Sequence, residues 1–167
     1  MTDIRKVGTE NIATIRNLAI RAWKVAYKDI LTPGQMDYML EQIYSPASLQ
    51  NQVTNLGHQF VILYENNIAA GFASYSSKGG TSPTVQRLHK IYLDPVHQGK
   101  GFGYTLINFV IAEAKAAGAT DLELNVNRHN PAQAFYRKIG FTIIREEDID
   151  IGNGYFMNDF VMNLELQ

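Results

Sequence analysis

Leu93-Asp94-Pro95-Val96-His97-Gln98-Gly99-Lys100-Gly101-Phe102-Gly103-Tyr104 is the stretch on which the fold reading turns. Before it, Val85 to Leu93 reads as a strand, closed by Asp94-Pro95. After it, Leu106, Ile107, Val110, Ala114 and Ala117 fall on one face of a helix, with Gly118 where a C′ glycine belongs. Strand, glycine-rich loop and helix in that order form a layout that binds phosphate. The helix N-terminus offers N–H groups and a partial positive charge, and glycines let the backbone come close to an anion. Spacing excludes two common versions. A P-loop needs Ser or Thr after its Lys to hold Mg²⁺, and Lys100 is followed by Gly101. A dinucleotide fingerprint needs Gly-x-Gly-x-x-Gly, but its third position is Tyr104 counted from Gly99 and Leu106 counted from Gly101. What stands is Gln98-x-x-Gly101-x-Gly103.

Toward the N-terminus, Ile4 to Val7 reads as a short first strand. From Thr9 the apolar residues Ile12, Ile15, Leu18, Ala19, Ala22, Trp23 and Ala26 recur every three or four positions, one stripe of a long helix. Thr32-Pro33-Gly34-Gln35 and Ser45-Pro46 each place a capping hydroxyl before a proline, so two more helices start there. Phe60 to Tyr64 is a continuous apolar run, as in a central strand, and Asn66-Asn67 turns it into Ile68 to Tyr75. Ser76 to Thr84, with Gly79-Gly80 and Pro83, reads as a loop.

Toward the C-terminus, Leu122, Leu124 and Val126 alternate with Glu123, Asn125 and Asn127, the pattern of a half-buried strand. Asn130-Pro131-Ala132-Gln133 is a third cap-and-proline start, and its helix carries Phe135, Tyr136 and Ile139 and ends at Gly140. Phe135 and Ile139 are expected in the core. Phe141 to Ile144 is a short strand, Glu146 to Asp150 an acidic loop, and Phe156 to Leu166 a closing strand. The order of elements gives an α+β (mixed α/β) fold in a single domain over residues 1–167.

With 167 residues, 46% hydrophobic, the chain can bury a substantial core. Its 15 basic and 16 acidic side chains leave a net charge of −1, which gives no electrostatic reason to bind nucleic acid or an anionic membrane. No apolar run reaches the length of a membrane span. The first residues carry charges and no signal-peptide h-region, so a cytoplasmic location is expected. There is no cysteine, hence no thiolate nucleophile and no cysteine metal site. His58, His89, His97 and His129 show no metal-ligand spacing, so no metal is expected.

Gln98-x-x-Gly101-x-Gly103 after a strand ending in Asp-Pro resembles the acyl-CoA loop of the GCN5-related N-acetyltransferases. Leu88 to Leu93 is similar to the family's preceding strand. Asn127 to Phe141, with Phe135-Tyr136 followed by Gly140-Phe141, is similar to its second signature. The motifs cover about Val85 to Phe141, and the helical stretch Tyr38 to Val53 resembles bacterial polyamine-type members. The resemblance implies a central mixed sheet of six to seven strands flanked by about four helices. It also implies direct transfer of an acetyl group from acetyl-CoA to a primary amine of a small molecule, in a monomer or homodimer.

The resemblance carries over onto particular residues. Backbone groups of Ile91, Tyr92 and Leu93 would line the pantetheine, and one N–H would polarise the thioester carbonyl. Gln98, Gly99, Lys100, Gly101, Phe102, Gly103 and Tyr104 would hold the pyrophosphate. Tyr136 matches the family tyrosine that protonates the departing thiolate, a role that suits a phenol still protonated at neutral pH. The family places an asparagine seven residues before that tyrosine. Here the position is His129, which leaves Asn127 or Asn130 for the cofactor contact, and Asn130 also suits an N-cap. For the ammonium proton of the acceptor, His89 has a suitable ordinary pKa, Glu123 and Asn125 lie on the next strand, and a water chain is the family's other solution. The acidic run Glu146 to Asp150 suits a polyamine or another cationic amine. Two other readings of the same residues are a non-catalytic CoA-binding regulatory module and a peptide or protein N-acetyltransferase. The absence of both cysteine and a Gly-x-Ser-x-Gly elbow agrees with transfer that uses no acyl-enzyme.

Overall fold

The structure, a computed structural model, describes residues 1–80 and 82–167. Among them are seven strands and five α-helices. The strands are β1 (Thr2–Val7), β2 (Gln59–Glu65), β3 (Ile68–Gly79), β4 (Ser82–Leu93), β5 (Asp121–Asn127), β6 (Thr142–Gly152) and β7 (Tyr155–Glu165). The helices are α1 (Ile12–Ala26), α2 (Pro33–Tyr44), α3 (Pro46–Thr54), α4 (Phe102–Ala116) and α5 (Ala132–Ile139). The strands form a mixed sheet in the order β1-β2-β3-β4-β5-β7-β6. The chain divides into two compact units, Met1–Ser76 with His89–Val110 and Ser77–Leu88 with Ile111–Gln167.

In the first unit the expected caps form. Thr32 Oγ1 accepts from Gln35 N at 3.1 Å and Ser45 Oγ from Ser48 N at 3.2 Å, each before a proline at the first helical position. The stripe of α1 buries Ile15, Leu18, Ala19, Ala22 and Trp23. Trp23 lies edge-on to Tyr44 at 5.8 Å, and Tyr44 edge-on to Phe72 at 6.2 Å, so one aromatic cluster joins α1, α2 and β3. Asn66 and Asn67 take φ of 51° and 65°, the left-handed pair that a two-residue hairpin turn needs.

In the second unit β4 and β5 run parallel, paired from Val85–Asp121 to Leu88–Leu124. β7 pairs antiparallel with both β5 and β6. Leu122, Leu124 and Val126 are buried as expected, but so are Glu123 and Asn127, so β5 is covered on both faces rather than half-buried.

Three further sequence expectations are corrected. β3 and β4 extend well into Ser76–Thr84, where the sequence suggests a loop, and Thr81 of that stretch lies outside the described residues. The acidic run Glu146–Asp150 is not a loop but part of β6. Antiparallel pairing with β7 holds it there, and its carboxylates find partners: Glu147 binds Arg145 Nε of the same strand at 3.0 Å and accepts from Asn125 Nδ2 of β5 at 3.2 Å, and Asp148 binds Arg128 Nη2 at 2.8 Å. On α5 the buried side chain is Tyr136, while Phe135 and Ile139 stay partly exposed.

Candidate active site

In the first unit, β4 delivers the chain to the glycine loop through a built turn. Asp94 is buried and its Oδ1 accepts from Val96 N at 3.2 Å. Its Oδ2 meets Arg21 Nη2 of α1 at 2.6 Å, and its own N–H donates to Ala70 O of β3 at 2.8 Å. The Asp-Pro pair read as a strand end is therefore an anchor that fixes where the loop begins.

Gly99 and Gly101 both take left-handed backbone, φ +81° and +78°. A Cβ at either would meet no chain atom within 4 Å. The backbone angle, not packing within the chain, is what calls for glycine there, and the loop keeps an open face that would admit a phosphate. Gly103 has no such angle and lies inside the first turn of α4. Thr105 N donates to Gly101 O at 3.2 Å. The amides of Phe102 and Gly103 fall in the first turn of α4, where a helix has no carbonyl of its own one turn back. These residues fit the pyrophosphate of a nucleotide cofactor.

Lys100 is tethered, since Glu65 Oε1 takes its Nζ at 2.9 Å together with His97 Nδ1 at 3.1 Å. The Lys100 hydrogen bond holds the Glu65 carboxyl below its ordinary pKa. Local motif reading missed Glu65, which lies 35 residues away in sequence. It also missed Gly71. A Cβ there would stand 2.6 Å from Leu93 Cδ2 and 2.8 Å from the Tyr92 carbonyl oxygen, so only glycine lets β3 approach the end of β4 so closely.

Ile91, Tyr92 and Leu93 form the last residues of β4, with the Tyr92 hydroxyl 3.1 Å from that of Tyr27. The His89 ring stacks on His58 at 3.8 Å, and its Nε2 lies 2.7 Å from Ser76 Oγ. Burial and the charge of Lys90 lower the pKa of His58 to about 4, so its ring is neutral at pH 7.

The second unit holds the remaining predicted residues. Tyr136 is 8% exposed, between the rings of Phe135 and Phe141 at 5.4 and 5.7 Å. Asn127 Oδ1 accepts from His129 N and Asn130 Oδ1 from Ala132 N, both at 2.9 Å. Both amide oxygens are thus occupied in ordering the approach to α5. Glu123 is 4% exposed and bonds Lys78 Nζ (3.2 Å), Arg87 Nη1 (2.8 Å) and Arg145 Nη2 (3.4 Å). Three cationic donors on one carboxylate build structure and leave little room for proton transfer. Arg87 also donates to Asn125 Oδ1, and the Asn125 amide donates to Glu147 and Asp159. Among the described residues no group of His, Asp or Glu is arranged to hold a metal, and no helix is long and apolar enough to cross a membrane.

Comparison with known proteins agrees with this geometry. Residues 28–158 match the acetyltransferase (GNAT) domain family. Among curated relatives, the spermidine N(1)-acetyltransferase of Thermoplasma acidophilum is 27% identical over 160 residues, 93% of this chain and 94% of that one. An uncharacterised N-acetyltransferase of Mycobacterium bovis is 40% identical over 89% of this chain and 94% of its own length. An L-methionine sulfoximine/L-methionine sulfone acetyltransferase of Salmonella typhimurium is 29% identical over 66% of this chain and 67% of that one. Among solved structures, the PaiA N-acetyltransferase of Thermoplasma acidophilum in complex with coenzyme A superposes with a TM-score of 0.82 at 25% identity, covering 99% of both chains.

Proposed function

The chain belongs to the GCN5-related N-acetyltransferase (GNAT) family, and we therefore propose that it moves an acetyl group from acetyl-CoA directly to a primary amine of a small molecule. The observation that carries the reading is the Gln98–Gly103 stretch, whose two left-handed glycines lead from the Pro95–His97 turn after β4 into α4. The acceptors named for two relatives, spermidine and L-methionine sulfoximine, are both small amines, which supports the substrate class.

In this reading the loop amides and Lys100 hold the pyrophosphate, while backbone groups of Ile91, Tyr92 and Leu93 hold the pantetheine and polarise the thioester carbonyl. The amine nitrogen attacks that carbon, a C–N bond forms and the C–S bond breaks. Tyr136 gives its phenolic proton to the leaving thiolate. The acceptor's ammonium proton leaves through His89, already coupled to Ser76, or through ordered water. A single acetyltransferase domain over residues 1–167, working in the cytoplasm without a metal as a monomer or homodimer, completes the proposal.

The test is thiol release from acetyl-CoA by the purified protein across a panel of small amines. Tyr136→Phe should lose most turnover while binding acetyl-CoA as before, because only the proton donor goes. Unchanged turnover would remove Tyr136 from its role. Binding without turnover on any amine would favour the regulatory module.

A further inference from the structure

The first unit contains a cavity of about 380 Å³ that borders the proposed acetyl-transfer site, since His89 and Tyr92 are among its lining residues. Trp23, Ile43, Tyr44 and Leu56 give it apolar walls, and Gln52, His58 and Lys90 supply polar groups. Lys90 is 9% exposed. A buried ammonium normally has a counter-charge. Among the described residues no carboxylate pairs with this one. Its Nζ donates to Gln52 Oε1 at 2.7 Å and lies 5.5 Å over the Phe60 ring and 5.8 Å over that of Tyr44.

Gln52 cannot turn away. Its amide nitrogen is fixed by Ile43 O at 2.8 Å and Ser48 Oγ at 3.1 Å, so its oxygen is committed to Lys90. A second polar requirement is unmet on the same lining, because His58 Nδ1 is buried with no hydrogen-bond partner. We propose that this cavity binds a carboxylate borne on a small apolar body, the carboxylate serving as the counter-ion of Lys90. A cationic guest would meet a buried ammonium, and a phosphate dianion needs more donors than one lysine and a neutral imidazole provide. The volume lies in the range of small-molecule sites. The carboxylate comes either from the acceptor amine or from a separate effector.

The experiment uses the full chain and has two arms. In the first, calorimetry at pH 7 without acetyl-CoA compares 3-phenylpropionate with its uncharged twin 3-phenylpropanamide. The carboxylate should bind about tenfold more tightly, the scale of one charge-assisted hydrogen bond, and Lys90→Met should abolish that preference. Equal affinities in the natural chain overturn the proposal, a result that needs no variant to fold. A preference that survives in Lys90→Met also overturns it. The second arm rests on the acetyl-transfer reading: phenylalanine and phenylalaninamide are offered as acceptors, with 3-phenylpropionate as inhibitor. Competition with phenylalanine assigns the carboxylate to the acceptor, and binding without competition assigns it to an effector; either supports the site. No turnover on any amine counts against acetyl transfer, while the calorimetric comparison still decides for or against the cavity.

Discussion

The Lys100 ammonium donates to Glu65 Oε1 at 2.9 Å, so the one cation of the glycine loop is already neutralised by the end of β2. The pair is exposed on the lysine side, where such bridges contribute little to stability. Glu65→Gln should therefore leave the fold intact and free the charge for a phosphate. Acetyl-CoA affinity is expected to rise by up to about fivefold at low salt and to depend more steeply on ionic strength. Calorimetry at two salt concentrations checks this. Weaker binding would mean that Glu65 positions Lys100 rather than competing for it.

Gly101 and Gly71 should fail in different ways. Gly101→Val places a β-branched residue at φ +78° with no chain atom near its Cβ. The strain costs about 1–3 kcal/mol, and the open face of the loop is filled. Acetyl-CoA affinity should drop by about tenfold or more, with a modest fall in melting temperature. Gly71→Ala drives a Cβ to 2.8 Å from the Tyr92 carbonyl oxygen, so backbone must move. A loss of about 1–3 kcal/mol in denaturation is expected, with acetyl-CoA binding weakened through the displaced end of β4.

Lys90 gives stability a distinctive pH dependence. Burial lowers its pKa from 10.5 to about 8. Between those values the unfolded chain binds the proton and the folded chain does not, so stability from this group rises with pH. Relative to Lys90→Met, the natural chain should gain on the order of 2–3 kcal/mol from pH 7 to pH 10, read by urea denaturation. Above pH 10 the buried Tyr44 phenol, its pKa raised by burial, acts in the opposite sense. On the acid side His58, lowered from 6.5 to about 4, costs stability as pH falls through that window, because there only the unfolded ring takes up a proton.

Glu123 separates structure from catalysis. Its removal in Glu123→Gln leaves Lys78, Arg87 and Arg145 around a neutral amide. The carboxylate is buried and the cations are partly exposed, so a loss of about 2–3 kcal/mol is expected in chemical denaturation. Turnover under conditions where the variant stays folded should keep its pH profile. A pH profile that loses its acidic limb would make Glu123 the general base.

Local pattern was enough for the elements that carry the loop. The Thr32 and Ser45 caps, the Asn66-Asn67 turn, and the Gln98-to-Gly103 loop opening α4 each rest on neighbours within a few residues. What could not be read was set across strands. Glu146 to Asp150 looks like a solvated loop until β7 pairs with it and Arg128 and Asn125 reach Asp148 and Glu147. Lys90, within an aliphatic strand, gives no local sign that its counter-group is a neutral amide 38 residues away. Tyr136 and Phe135 are adjacent on one short helix, and only the rings they meet in three dimensions decide which is buried. In the sequence Asn127 and Asn130 are both open to the cofactor contact and Asn130 also suits an N-cap; in the structure their oxygens accept from His129 N and Ala132 N in the turns ahead of α5, whose N-cap position is Pro131.

Direct acetyl transfer can be followed by rapid quench, with acetyl-labelled acetyl-CoA, the natural chain and a panel of small primary amines. Label should pass from the thioester straight into an amine, with none on the protein at any time. Label that appears first on the protein and then chases into the amine, or label that reaches no amine while acetyl-CoA stays bound, would contradict direct transfer.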